Sequence, residues 1–471
     1  MALDYFLFLI AYLVILLIVG LVFTKRMRNL EDFFLASRDL SGSWVFLTLV
    51  ASWIGATSLL VSVDEAYRDG VSSFWVMGVP ALLTVLIFFL FLARPIRQLP
   101  ILSLPDLVEL RYGRTVRHLA SLLIIWYMIL LASSQMVALG NFLQVFLHTS
   151  YISCLMIGTI VVLFYSVLGG FSSVVFTDGL QFLFLTGGIF GLFIFLVQSS
   201  TIPDVSQAIQ TFDKLDYFSF FSNIKKNSLI AFSFILAWVV SPIAWQRIQA
   251  ARNVKSARQG LAATSIMLFL MYGIIVCIGL LSLPILAEDE GGGSVLSAII
   301  ATKTGKFLGG ILFVAVVAAI MSTMDTAVNT GALSVTHDLY FQLFPQKRSG
   351  RVLLISRVST FCVTALAFLV ATQFQSILKT LGLASEIMAV GFFIPGVAMI
   401  FLKKKWPCAG FLSLVMGLGF VFVGFFCEIG LFAFRWPEWP FSVPYGFALS
   451  LIGFILGMLF DKSFRAKSEA S

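Results

Sequence analysis

Ser322, Asp325, Thr326 and Asn329 are spaced i, i+3, i+4 and i+7 in AAIMSTMDTAVNT, with Thr323 and Thr330 beside them. On a helix that spacing lines up their oxygen atoms along one face. The surrounding sequence, GGILFVAVVAAIMSTMDTAVNTGALSV, is apolar enough to place Asp325 near the middle of a membrane, where a carboxylate costs about 2.5 to 3.5 kcal/mol on insertion scales. Hydroxyls and a carboxylate with no His or Cys nearby suit a hard, weakly polarising cation, whereas a transition metal would want imidazole or thiolate. Sodium fits this donor set. A second carboxylate, Asp178, lies with Gln181 one to two turns inside another apolar segment, YSVLGGFSSVVFTDGLQFLF at 165–184. Neither span carries an Arg or Lys, so the two acids are not expected to form an internal salt bridge. The plainer alternative for each is a protonated or hydrogen-bonded structural aspartate.

The elements that must position these groups are membrane helices. Of 471 residues 59% are hydrophobic, 49 are Phe and only 11% are charged, with a mean hydropathy of +1.01, whereas soluble domains carry about 25% charged residues. Apolar runs long enough to cross about 30 Å of hydrocarbon recur throughout. They predict an all-α integral membrane protein with 13 transmembrane helices near 3–24, 43–66, 72–93, 119–147, 151–168, 174–198, 229–246, 260–286, 307–336, 352–372, 378–401, 408–430 and 442–460. With the N-terminus outside and the C-terminus cytoplasmic, 23 of the 31 Lys and Arg residues fall on the cytoplasmic side, the asymmetry that sets membrane orientation. Among them are KRMR at 25–28, Arg117, Arg247, Arg252, Lys347, Arg348, Arg351 and KKK at 403–405, while the acidic EDE at 288–290 falls outside. The net charge of +8 therefore reports topology, and no nucleic-acid partner is read from it. The first span lacks a basic leader and is followed by KRMR, so it reads as a mature helix and not a signal peptide. The five cysteines show no CxxC spacing and read as packing residues. Enzyme motifs such as HExxH and GxSxG are absent, and His118, His148 and His337 are far apart in sequence, which argues against an enzyme.

Two spans carry helix-breaking residues at their centres. LTLVASWIGATSLLVS in span 2 places Gly55 before Ala56, Thr57 and Ser58, and FILAWVVSPIAWQR in span 7 places Ser241 before Pro242. A proline removes a backbone donor and clashes with the preceding turn, and glycine tolerates unwinding. Either feature alone is more often a structural kink. Paired five helices apart, they point to a transporter built from inverted repeats, with its site at the breaks.

DFFLASRDLSG, TDGLQ after YSVLGG, the WQRIQAARNVKSARQG loop, and AAIMSTMDT closing with HDLY resemble the sodium/solute symporter family, whose members take up sugars, proline, pantothenate, sialic acid, choline and similar solutes. The resemblance runs from about Glu31 to Lys405. ASWIGATS and SEIMAVGFFIP look closer to its choline-like and general bacterial branches than to its sugar branch. It implies a LeuT-like 5+5 inverted repeat within a single transporter domain, 1–471: an extra helix at 3–24, repeat one at 43–198, repeat two at 229–401 and accessory helices at 408–460. It also implies a sodium site made by the backbone carbonyls of Ala51, Ile54 and Ala319 with the hydroxyls of Ser322 and Thr323. A second sodium site, present in some members, would use Asp178, Asp325 and Thr326.

The solute pocket is expected between the breaks, lined by Trp53, Thr57, Ser58, Gln135, Trp238, Ser241 and Glu386. Ordinary packing is the competing role for the two tryptophans. Ala237 stands where the sugar branch carries Tyr, and Glu386 where it favours Gln, so a sugar is not the first expectation. A buried Glu near aromatic faces favours a cationic or zwitterionic solute. The function expected is a sodium-coupled symporter of a small polar organic solute, in a bacterial inner membrane, with sodium as the co-transported ion and no organic cofactor. The alternatives are a proton-coupled transporter of the same fold, with Asp178, Asp325 or Glu386 titrating, or a sensor or channel derived from it. The short basic tail DKSFRAKSEAS argues against an output domain.

Overall fold

A computed structural model of the chain describes residues 2–24, 34–99, 101–214, 216–286, 294–344, 352–374, 376–428, 431–432 and 435–470. KRMR at 25–28, EDE at 288–290, Lys347, Arg348 and Arg351 lie outside the described residues. Within them the protein is helical throughout, and its one β-type contact is an isolated parallel bridge between Leu40 and Ala251. We number the main helices α1 (Ala2–Thr24), α2 (Gly42–Trp53), α3 (Thr57–Gln98, interrupted at Gly70), α4 (Leu104–Tyr112), α5 (Arg114–Leu147), α6 (Tyr151–Ser199), α7 (Ile224–Val239), α8 (Pro242–Ala250), α9 (Val254–Ser282), α10 (Lys306–Leu343), α11 (Val352–Gln373), α12 (Ile377–Phe401), α13 (Pro407–Glu428) and α14 (Val443–Ala470).

Among the described residues, nine helical segments are long and apolar enough to cross a membrane, or ten when α7 and α8 count as one bent span. Three shorter apolar helices, Leu3–Val19, Gly42–Trp53 and Tyr151–Phe164, accompany them. The protein is a multi-pass membrane protein. Its helices sort by depth: 83% of the apolar stretch of α5 and of α10 is buried inside the protein, against 28% for α13. A helix surrounded by protein can carry polar groups that lipid would not solvate, and the Ser322–Asn329 ladder lies on α10.

The chain punctuates itself by local chemistry. Gly170 adopts φ +55°, ψ −161° inside α6, a conformation open to glycine alone, so the 49-residue helix is broken there into two parts. Ser41 and Asn253 cap α2 and α9 by accepting from Trp44 N–H and Ser256 N–H. At the start of α4, Ser103 and Asp106 form a reciprocal capping box with Pro105 in the first turn, the arrangement that starts a helix sharply. All five cysteines are free.

Candidate functional site

α2 ends at Trp53, where Ile54 leaves helical geometry at φ −92°, ψ +77°, and helix resumes by Thr57. The backbone groups released by this gap are taken up by side chains. Gln135 of α5 accepts the Ala56 N–H at 2.8 Å, and the Ser58 hydroxyl donates to the Trp53 carbonyl at 2.9 Å. Tyr272 of α9 donates to Ser58 at 2.8 Å. Gly55 is required here, since a Cβ would stand 2.4 Å from Thr323 Oγ1 and 2.8 Å from Gln135 Oε1. The second gap follows from Pro242. Ser241 is extended at φ −68°, ψ +125°, and α7 and α8 are bent by 43° across it. The Trp245 indole N–H covers the Val239 carbonyl at 3.0 Å.

α10 runs beside the first gap. The fully buried Ser322 hydroxyl lies 2.7 Å from the Ala51 carbonyl and 2.9 Å from that of Ala319, and the Thr323 hydroxyl donates to the Ser52 carbonyl at 3.2 Å. Carbonyls at the C-terminal end of α2 and hydroxyls of α10 thus meet in direct hydrogen bonds. Carbonyl and hydroxyl oxygens are the donors that hard monovalent and divalent cations take.

Between the gaps lies a cavity with about 550 Å³ of empty space, part of it continuous with the outside. Trp53, Thr57, Ser58, Gln135, Trp238 and Ser241 line it, as does Thr323. The Trp53 and Trp238 rings meet edge to face at 6.0 Å and 90°, and Trp238 stacks on Phe234 at 5.0 Å. Met77, Tyr127, Leu131, Ile243, Ala244 and Leu381 add to the wall; such residues in apolar spans give no sequence signal of facing a cavity. Glu386 does not join them. Its carboxylate accepts from the Ser442 hydroxyl in the segment before α14, and Leu381, more than a turn earlier, is the α12 residue that faces the cavity. The electrostatic reason to expect a cationic solute leaves with it.

A second correction concerns Asp178. Arg247 of α8, read from sequence as a cytoplasmic cation, is fully buried, and its Nη2 lies 3.2 Å from Asp178, 2.5 Å from Ser52 Oγ and 2.7 Å from Thr326 Oγ1. Thr48 donates to the same carboxylate oxygen of Asp178. An internal salt bridge therefore forms after all, with the cation supplied by a third element. Two of the three groups expected at a second sodium site, Asp178 and Thr326, already hold a guanidinium. Asp325, the third, is buried on the same stretch of α10.

Below these gaps, backbone and side chains tie the entry to α2 to the exit from α8. Leu40 N–H donates to Ala250 O at 3.0 Å and Arg252 N–H to Leu40 O at 2.8 Å, while Arg252 pairs with Asp39 at 2.6 Å. The Arg252 hydrogen bond and charge hold the exposed Asp39 carboxyl below its ordinary range. On α4, Asp106 receives Arg117 Nη2 at 2.7 Å and lies 3.0 Å from His337 Nε2. Burial pushes the Asp106 carboxyl up, but the His337 hydrogen bond and the charges of His337 and Arg117 outweigh it and hold the group at about 2.

Residues 33–417 match the model of the sodium:solute symporter family. The chain is 24% identical to the sodium/pantothenate symporter of Haemophilus influenzae, over 92% of each chain, and 24% identical to the osmoregulated proline transporter of Bacillus subtilis, over 97% of this chain and 94% of that one. Its fold is similar to a solved sodium-coupled sialic acid symporter in a substrate-bound outward-open state, with a TM-score of 0.80, 19% identity and 97% of each chain covered.

Proposed function

The chain belongs to the sodium:solute symporter family, and from that premise we propose that it imports a small polar organic solute across a bacterial plasma membrane by sodium-coupled alternating access. It is a transporter and not an enzyme. The observation that carries the sodium assignment is Ser322, whose one hydroxyl reaches carbonyls of both α2 and α10 at the gap that borders the cavity. In the proposal the Ala51, Ile54 and Ala319 carbonyls with the Ser322 and Thr323 hydroxyls hold one sodium ion. The solute sits against Trp53, Thr57, Ser58, Gln135, Trp238 and Ser241.

Sodium bound there draws α2 onto α10 and shapes the wall that Thr323 shares with the cavity. If the ion tightens solute binding, the solute tightens ion binding by the same factor. One charge moved through 100 mV supplies about 2.3 kcal/mol to the cycle. We propose one sodium per solute, because the Arg247 guanidinium already neutralises Asp178 and donates to Thr326. A second cation beside it would meet like charge among fully buried groups. The proposed architecture has thirteen crossings in a 5+5 inverted repeat, with α2–α3 and α7–α8 as its interrupted spans, the N-terminus outside and the C-terminus cytoplasmic. The Leu40–Arg252 tie then lies on the cytoplasmic side and parts as the inner gate opens.

A thermal-shift screen of the purified protein over a solute library, in sodium, lithium or potassium, tests the assignment, because a ligand of the folded state raises the melting temperature. Solutes that stabilise only with sodium present support it. Stabilisation indifferent to the cation refutes it.

A further inference from the structure

α13 and α14 are mostly open to lipid, with only 28% and 33% of their apolar stretches buried inside the protein. Both close on Tyr112 at the end of α4. Gly410 of α13 lies so near that a Cβ would stand 2.4 Å from the Tyr112 ring, and Phe454 of α14 meets the same ring edge to face at 6.5 Å. Beside that contact lies a groove with about 990 Å³ of empty space, part of it continuous with the outside. Gly113, Arg114 and Thr115 line it from α5, and Phe411, Leu412 and Phe460 from α13 and α14. Phe411 and Phe460 are exposed. The opposite wall is polar, and its rim is basic. Arg114 is exposed and gives one N–H to the Gln342 carbonyl at 3.1 Å. Lys403, Lys404 and Lys405, all exposed, join α12 to α13. Arg111 donates to the carbonyls of Met399 and Lys403 at 3.1 and 2.9 Å, and the Trp406 N–H to Arg111 O at 2.8 Å. These bonds pin the lysines next to Gly113. Lys462, two residues beyond Phe460, is exposed as well. The neighbouring acids are engaged: Asp461 accepts the Cys408 and Ala409 N–H groups at 3.1 Å each, and Glu109 pairs with Arg117.

We propose that this groove binds an anionic phospholipid of the adjoining leaflet, with its phosphate between Arg114 and the Lys403–Lys405 segment and an acyl chain along Phe411 and Phe460. Basic pockets between the ends of membrane helices attract such headgroups, and the rim charges here have the complementary sign. A zwitterionic lipid brings an ammonium of its own, which the lysines repel. A free phosphate would satisfy the rim and leave the apolar wall uncovered. The bound lipid ties the start of α5 to the accessory helices α13 and α14. The site is separate from the cavity between the two gaps and needs no assumption about the solute.

The test takes the full chain, stripped of lipid in a neutral detergent, and titrates it with phosphatidylglycerol, phosphatidylcholine or glycerol 1-phosphate. Melting temperature is read at each step, and retained lipid is counted by native mass spectrometry. Phosphatidylglycerol should raise the melting temperature and stay bound, whereas the other two should do neither. Arg114→Gln should raise the half-effective phosphatidylglycerol concentration about fivefold. Arg258→Gln, an equal loss of charge at an exposed position of α9, should leave it unchanged. Thr115→Trp fills the groove from an exposed position without altering charge, so it should fold and lose the retained lipid. The inference is overturned if phosphatidylglycerol adds nothing, if phosphatidylcholine matches it, if glycerol 1-phosphate gives the whole effect, if Arg258→Gln weakens binding as much as Arg114→Gln, or if Thr115→Trp binds unchanged. A lipid-free dimer that Thr115→Trp splits would make the groove an interface between copies and overturn it likewise.

Discussion

Replacing Ser322 by alanine removes one oxygen from the proposed ion cage and nothing from the cavity wall. In the ion-free protein that hydroxyl has one proton to give, to Ala51 O at 2.7 Å or Ala319 O at 2.9 Å, so its loss costs that state about 1 kcal/mol. In the ion-bound protein the same oxygen faces a full charge, and its loss costs about 1.5 to 3 kcal/mol. The difference, about 0.5 to 2 kcal/mol, raises the half-saturating sodium concentration by about 2-fold to 30-fold. Thr323→Val should act in the same direction. Radiosodium binding to purified protein in detergent, read as a saturation curve, measures this directly. Ser413→Ala serves as the control, because that hydroxyl pairs with Ser450 at 3.0 Å between α13 and α14, remote from the gap, and should leave the curve where it was. Saturation curves for Ser322→Ala and Thr323→Val that superimpose on the wild type would refute the site.

Three further outcomes follow from the geometry. Gly55→Ala forces a methyl to within 2.4 Å of Thr323 Oγ1, so the α2–α10 contact must part; the variant should lose its sodium-dependent rise in melting temperature while remaining helical by circular dichroism. Arg247→Met leaves Asp178 buried without its cation, a change worth about 3 to 5 kcal/mol; a lowered melting temperature should be largely recovered in the Arg247→Met, Asp178→Asn double variant, and failure to recover would show that the pair is not coupled. Asp106, held at about 2, contributes stability that is complete above the unfolded carboxyl value near 3.9 and is lost as pH falls through 2. The melting-temperature gap between wild type and Asp106→Asn should therefore hold between about pH 5 and 6, where His337 keeps its proton, and narrow below about pH 4.

How far these features could be read in advance depended on whether the physics was local. The hydroxyl ladder on α10 follows from spacing alone, since helical periodicity places Ser322, Asp325 and Thr326 on one face whatever surrounds them. The gap residues are likewise local, Gly55 and Pro242 acting through their own backbones. What was not legible is what meets across the bundle. Arg247 stands 69 residues from Asp178, and its position near the end of a span looks identical in sequence whether the side chain faces water or turns inward. Arg117, also counted as cytoplasmic, is 96% buried between Asp106 and Asp338. Glu386 looked like a pocket carboxylate because apolar neighbours hide the direction of a helix face; Ser442, supplied by the segment before the last helix, decides it. Tyr127 and Leu381 line the cavity for the same reason that no pattern marks them.

Sodium-driven accumulation is the central claim, and proteoliposomes test it most directly. With the solute identified by thermal shift, an inward sodium gradient at equal pH on both sides should drive uptake above the equilibrium level, and a sodium ionophore should abolish it while a proton uncoupler does not. Accumulation that follows a pH gradient in sodium-free buffer, or uptake that never exceeds equilibration, would contradict it.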